Sequence, residues 1–110
     1  MESHFEVEVP AAAAHDFATM TGDWNPLHTN AEHAAKTAYG RPILHGAYSA
    51  GLISRLAGMH LPGERCLLHG LRLRFTAPIF LPTRLRVHGR IISEHAQGGV
   101  VDATVSDAAT

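Results

Sequence analysis

The feature that most constrains the fold is an almost uncharged stretch in the middle of the chain, residues 46–58. Arg55 is its only charged residue, and the other positions hold only Gly, Ala, Tyr, Ser, Leu and Ile. A helix of this composition is apolar on nearly every side and needs other structure around it. Its small residues also allow a sheet to approach the helix backbone closely. We therefore predict one buried central helix.

Apolar residues recur at every second position on both sides of this helix, which is the pattern of a half-buried strand. The pattern covers residues 4–9, 71–75, 85–91 and 101–105. Gly98-Gly99 marks a hairpin turn before the last strand. The sequence therefore predicts an α+β fold, in which an antiparallel sheet curls around the central helix.

Two further helices are predicted between the first strand and the central helix. An alanine-rich helix over 11–20 follows Pro10 and ends at Gly22. The four residues Thr29-Asn30-Ala31-Glu32 have the form of a capping box, which opens a short helix through about Thr37.

The composition limits the chain to one small globular domain, residues 1–110. Apolar residues make up 45% of the chain and charged residues 17%, as in a folded domain of this size. The net charge of −1 creates no field that attracts nucleic acid or anionic lipid. No apolar run approaches the ~20 residues that a membrane helix needs. A single cysteine, Cys66, and an N-terminus unlike a cationic secretory signal predict a cytoplasmic protein.

The first segment that can carry chemistry is the turn-rich stretch 21–28. Pro26 keeps the residue before it out of the α region, so the segment is extended or turned. Asp23 and His28 lie five residues apart and can converge on one small volume. A carboxylate and an imidazole that share one water can take its proton and return one. The alternative is that Asp, Asn and Pro only make a turn and that His28 is a surface residue.

The second segment, 39–46, places Gly46 at the start of the central helix. The first N–H groups of a helix have no internal partner, and the helix dipole makes that end positive. Because Gly46 has no side chain, a ligand oxygen can approach its N–H directly and find an oxyanion site. The alternative is a glycine tolerated at a cap, with His45 supplying the cap or packing.

Together the two segments resemble the MaoC-like (R)-specific enoyl-CoA hydratases and dehydratases of the hot-dog fold. The resemblance rests on Gly-Asp-x-Asn-Pro-x-His at 22–28 and on Gly-Arg-Pro-Ile-x-His-Gly at 40–46, and it covers roughly 17–75. It implies a lyase that adds or removes water across the C2–C3 bond of an acyl thioester. The substrate would be an acyl-CoA or an acyl-carrier-protein thioester, with no cofactor.

The resemblance also implies roles by position. Asp23 and His28 match the catalytic pair, and Asn25 matches its partner in the motif. Gly46 matches the glycine whose N–H holds the thioester oxygen, and Ser54 matches a serine that supports the catalytic aspartate. With these roles the enzyme would stabilise an enolate while the pair handles one water.

The chain departs from the family in its second half. After Phe75 it has room for about one strand fewer, and Leu81-Pro82-Thr83 stands where the family usually has Gly-Asp. The expected fold is therefore a somewhat shortened hot dog. Because the family normally pairs two hot dogs into one continuous sheet, a homodimer is expected.

Other interpretations remain open at this point. Five arginines, at 72, 74, 84, 86 and 90, form either a phosphate-binding edge or the polar outer face of a sheet. The nine histidines contain no His-x-x-x-His helix pair, so no metal site is predicted. A thioesterase would need a carboxylate on or near the central helix, which has none. A hot dog repurposed for another step on a biosynthetic intermediate, or for acyl binding, is the main alternative.

Overall fold

The structure, a computed structural model, describes residues Met1–Thr110 and contains three strands and four helices. The elements in chain order are β1 Glu2–Val9, α1 Ala13–Thr21, α2 Pro26–Thr29, α3 Ala31–Ala35, α4 Gly46–Met59, β2 Thr83–His95 and β3 Gly98–Asp107.

The chain divides into two compact units. The first unit consists of Met1–Val7, Ser49–Leu73 and Arg84–Thr110. The second unit consists of Glu8–Tyr48 and Arg74–Thr83.

The three strands form one sheet in the order β1-β2-β3. The strand β1 runs antiparallel to β2, since Glu2 bonds to His88 whereas Glu6 bonds to Arg84. The strands β2 and β3 form a hairpin whose register ends with His95 opposite Gly98. Residues 96 and 97 therefore make the turn. The expectation that Gly98-Gly99 forms it was wrong, because both glycines already pair within the hairpin.

In the first unit the central helix α4 packs on the sheet through one side. Its Leu52, Leu56 and Ala57 are buried, as are Leu85 and Val87 of β2. A Cβ at residue 89 of β2 would overlap the Leu56 side chain, so the glycine there lets helix and strand approach closely. The predicted helix and its close contact with the sheet are confirmed.

The other side of α4 is open to solvent within this chain, although the sequence predicted a helix covered on nearly every side. The exposed residues on that side are Ala47, Gly51, Ser54 and Arg55. Their exposure is physically inexpensive, because three of them are small and present little apolar area. Arg55 lies with its guanidinium 4.0 Å from the centre of the Phe5 ring.

The predicted strand over 71–75 is absent, and no regular element lies between Met59 and Thr83. The alternation of side chains at these positions is real, yet a strand also needs a neighbour for its N–H and C=O groups. Residues 71–75 find none in this chain. The longer stretch 67–75 leaves its large apolar side chains exposed, namely Leu67, Leu68, Leu71, Leu73 and Phe75.

Two of the three helices before α4 were predicted, α1 and α3, whereas α2 was not, and α3 ends at Ala35, two residues before the predicted end. The helix α1 ends at Gly22, whose φ of 80° suits glycine and whose N–H donates to the Ala18 carbonyl. The helix α3 is capped by Asn30, whose side chain accepts from the His33 N–H at 2.9 Å. The cap is therefore one residue later than the capping box that begins at Thr29.

No helix of the protein has the length and hydropathy needed to cross a bilayer, and the longest, α4, has 14 residues.

Candidate functional site

The predicted site residues Asp23, Asn25, His28 and Gly46 all belong to the second unit. The Asp23 carboxylate lies in an exposed turn directly after α1. Its Oδ1 accepts from the Asn25 N–H at 3.2 Å, and its own N–H donates to the Thr21 hydroxyl at 3.2 Å. One carboxylate oxygen is thus tied to the turn, while Oδ2 makes no hydrogen bond within the protein.

Asn25 acts as the cap of the short helix α2. Its Oδ1 accepts from the Leu27 N–H at 2.9 Å, and Pro26 occupies the first helical position. The sequence analysis missed this helix, although an asparagine followed by proline is a recognisable helix start. The consequence is that His28 sits on one rigid turn of helix and not in an open loop.

The His28 ring is oriented by a main-chain carbonyl. Its Nδ1 lies 2.8 Å from the Ile43 oxygen, and because a carbonyl only accepts, Nδ1 must carry the hydrogen. In the neutral ring Nε2 is then unprotonated. A nitrogen in this state can accept a proton, which is what a general base requires.

His45 connects the Asp23 turn to His28. Its ring is only 1% exposed, and its Nε2 donates to the main-chain oxygen of Asp23 at 3.0 Å. The ring lies against His28 with centroids 4.2 Å apart and planes 30° apart, and Phe17 lies on it with centroids 4.6 Å apart. Its Nδ1 is buried without a hydrogen-bond partner.

Sequence reasoning missed this role, since it considered His45 only as a helix cap or as packing. The available signal was the apolar pair before it, which marks a buried segment, and a buried histidine needs a polar partner. The partner itself is 22 residues away in the chain. No local pattern identifies it.

Gly46 begins α4, as predicted, and its N–H donates no hydrogen bond within the protein. A Cβ on Gly46 would lie 2.8 Å from the Phe75 Cζ, so only glycine allows this ring to lie where it does. The space that glycine leaves free is therefore filled by Phe75. Phe75 is itself 62% exposed.

Ser54 lies in the first unit, on the exposed side of α4, and makes no side-chain hydrogen bond. Its support of Asp23 stays a prediction.

A cavity of about 250 Å³ lies beside His28. Its lining is mostly small and apolar, with His28, His15 and Arg41 as its ionisable groups; the other lining residues are Ala11, Ala14, Thr29, Ala31, Pro42, Ile43 and Leu81. Asp23, Asn25 and Gly46 do not line it. His45 contacts both the Asp23 main chain and the His28 ring. Of the predicted residues, only His28 lines this cavity.

No group of three His, Cys, Asp or Glu side chains is arranged to hold a metal ion.

A family model described as the MaoC like domain matches residues 2–110. The chain belongs to the MaoC-like family. It is 42% identical over 72 residues to a 3-hydroxybutyryl-CoA dehydratase of Methylorubrum extorquens, which covers 66% of this chain and 46% of the relative. It is 44% identical over 71 residues to an (R)-specific enoyl-CoA hydratase of Aeromonas caviae, which covers 64% of this chain and 53% of the relative. The chain spans about half the length of these curated relatives.

Among solved structures, the (R)-hydratase of A. caviae superimposes with a TM-score of 0.81 and 30% identity. The match covers 96% of this chain and 89% of that chain. MaoC-like membership and the hot-dog α+β fold, both expected from the two motifs, are confirmed. Within this chain the sheet has three strands and is not closed into a barrel.

Proposed function

We propose that the protein is a lyase that adds water to, or removes it from, the C2–C3 bond of an acyl thioester. It would act as an (R)-specific enoyl hydratase or, in the reverse direction, as a 3-hydroxyacyl dehydratase. The observation that carries this proposal is the state of His28, whose Nδ1 bonds to the Ile43 carbonyl and leaves Nε2 as a proton acceptor. The names of the MaoC-like relatives support the same reaction.

In hydration the water oxygen bonds to C3 while one of its protons passes to the Asp23–His28 pair. The electrons of the C2–C3 double bond move toward the thioester carbonyl and form an enolate. The same pair then returns a proton to C2, so that the enzyme regains its starting state. Because the two groups act on one water, the acid and base roles are assigned to the pair.

The Gly46 N–H is the proposed donor to the enolate oxygen. It stands at the positive end of α4 and has no partner in the protein. Removing one such donor from other enzymes costs about 3–4 kcal/mol of transition-state stabilisation. Asn25 takes part by capping α2 and so holding His28 in place.

The proposed substrates are thioesters of coenzyme A or of an acyl-carrier protein. We propose a homodimer, supported by the exposed apolar side chains of residues 67–75. Large exposed apolar patches commonly mark protein interfaces. A cytoplasmic location is supported by the unpaired cysteine.

The experiment that tests the proposal uses crotonyl-CoA. Loss of the enoyl absorbance without release of free thiol, with (R)-3-hydroxybutyryl-CoA as product, is the expected result. Release of thiol would identify a thioesterase and contradict the proposal. Unchanged absorbance with crotonyl-CoA and with a crotonyl-carrier protein would favour a binding protein and contradict it as well.

A further inference from the structure

We propose that His45 is a positioning residue: its Nε2–H fixes the main chain of the Asp23 turn and its ring face fixes the imidazole of His28. The inference rests on the proposed function only in taking Asp23 and His28 as the reacting pair. His45 touches both and lies almost wholly out of solvent.

The first half of the role is the hydrogen bond to Asp23. The Asp23 carboxylate is exposed, and its own bond reaches only a neighbouring N–H within the turn. The bond from His45 at 3.0 Å attaches the turn to a buried ring that comes from a distant part of the chain. Without this donor the Asp23 carbonyl loses its protein partner, and the turn can move as a unit.

The second half of the role is the contact between the two rings. The bond from His28 Nδ1 to the Ile43 oxygen fixes one point of the His28 ring. A single bond of this kind still allows the ring to pivot about the line that joins the two atoms. The His45 ring, 4.2 Å away and 30° from parallel, lies against the His28 ring and restricts that motion. Phe17 in turn supports His45.

The buried Nδ1 of His45 argues against packing as the whole explanation. It has no hydrogen-bond partner, and a buried polar atom without a partner is unfavourable. A phenylalanine would give a similar flat ring without this disadvantage. The histidine therefore gains its advantage through Nε2, the atom that holds Asp23.

Two variants separate the halves of the role. His45→Phe keeps a flat ring and loses the donor, whereas His45→Gln keeps an N–H donor of similar reach and loses the ring. We expect each to lower kcat with crotonyl-CoA by about 10–100-fold, the range found when a group that orients a metal-bound histidine is removed from other enzymes. KM should change much less, because His45 does not bind substrate in this proposal. His33→Gln, on exposed α3, is the matched control and should stay near wild type.

A second readout is independent of activity. Nitrogen-15 NMR of the histidine rings should show His28 of the wild type with its hydrogen on Nδ1. In His45→Gln the hydrogen should stay on Nδ1, but the His28 ring signals should shift and broaden, because the ring can then pivot about its bond to the Ile43 oxygen. In His45→Phe they should persist while the backbone amides of residues 23–25 shift. Unchanged His28 and turn signals in both variants, with kcat within about twofold, would overturn the proposal.

The wild-type protein supplies the remaining test, which needs no variant to fold. His45 should be observed with its hydrogen on Nε2 and with slow exchange against solvent. A hydrogen on Nδ1, or rapid exchange, would overturn the proposal. If crotonyl thioesters are not hydrated at all, the proposed function fails, while the NMR results still decide whether His45 positions the two residues.

Discussion

Residues 22–46 and residues 66–82 both lack long elements, yet they are held in very different ways. In the first segment, side chains such as Asp23, Asn25, Asn30 and His45 bond to the main chain at close range. In the second segment no side-chain hydrogen bond occurs. Its main-chain bonds are few: the Ile79 oxygen accepts from the Leu44 N–H, and the Cys66 N–H donates to the Gly63 oxygen. An irregular segment is well defined when polar side chains satisfy its backbone. An alternating apolar segment still needs a second strand.

The largest expected effect tests whether residues 22–46 carry the catalytic groups. Asp23→Asn keeps the shape of the side chain and removes its charge, and His28→Ala removes the proton acceptor. Each should lower kcat by about 10²–10⁴-fold, the usual scale for loss of general acid–base catalysis. Crotonyl-CoA hydration provides the measurement.

Asp16→Asn, on the exposed face of α1, is the matched control for the loss of one carboxylate. The double variant of Asp23 and His28 should be little worse than the poorer single variant, because both groups serve one step. Near-normal activity of Asp23→Asn would mean that the Asp23 carboxylate serves only the turn and not catalysis.

The next effect concerns the junction of the two kinds of segment, where Phe75 lies against Gly46. Gly46→Ala should lower kcat by about 10²-fold or more, because the new methyl group obstructs the proposed oxyanion donor. Its Cβ would also press on the Phe75 ring. The double variant Gly46→Ala/Phe75→Ala removes that clash and should regain thermal stability without regaining kcat.

Gly51→Ala on the same helix is the control, since a Cβ there meets nothing within 4 Å. It should be stabilising by up to about 1 kcal/mol, because alanine favours helix more than glycine does. Recovery of kcat in the double variant would mean that the ring position, and not the bare N–H, limits catalysis.

A smaller effect tests whether the second segment is completed by another copy of the chain. Leu73→Asp should weaken dimerisation by about 10–100-fold, the equivalent of losing a buried leucine worth ~1.5–3 kcal/mol. Sedimentation at several protein concentrations measures it. Arg72→Gln, the next residue on the opposite side of the alternation, should leave the dimer intact. If both variants dimerise as strongly as the wild type does, residues 71–75 do not form part of the dimer interface.

The smallest effect lies outside both segments, on the sheet. A hydrogen bond from His88 at 2.8 Å, together with its charge, lowers the pKa of the Glu2 carboxyl below the usual value. The resulting stability is present above the ordinary glutamate pKa and is lost as the pH falls through the lowered one. Because Glu2 is exposed, Glu2→Gln should lower the melting temperature only slightly at neutral pH. That small difference should vanish in acid, and a difference that persists there would exclude the ion pair as its cause.

The sequence allowed the prediction of features that depend on neighbours in the chain. The end of α1 at Gly22 and the helical stretch that begins at Gly46 both follow from local backbone rules, and the structure confirms them. The cap of α3 was displaced by one residue because Thr29 and Asn30 are both good caps. The family followed from two spaced motifs. All of these signals lie within a few residues of the feature they predict.

The features that could not be predicted depend on distant partners. The bond from His45 to Asp23 joins residues on either side of α2 and α3, and no periodicity encodes it. The apolar alternation at 71–75 specifies side chains and says nothing about a neighbouring strand. The position of Phe75 over Gly46 is of the same kind. Sequence patterns identify which residues matter here, whereas long-range contacts decide how they are arranged.

The attachment point on Asp23 has a consequence for how this turn can be altered. His45 donates its hydrogen bond to a main-chain oxygen, which every amino acid possesses. Exchanging the side chain at position 23 therefore leaves the hydrogen bond from His45 possible. Lineages, or engineers, can replace the reactive group there while the scaffold beneath it keeps its form.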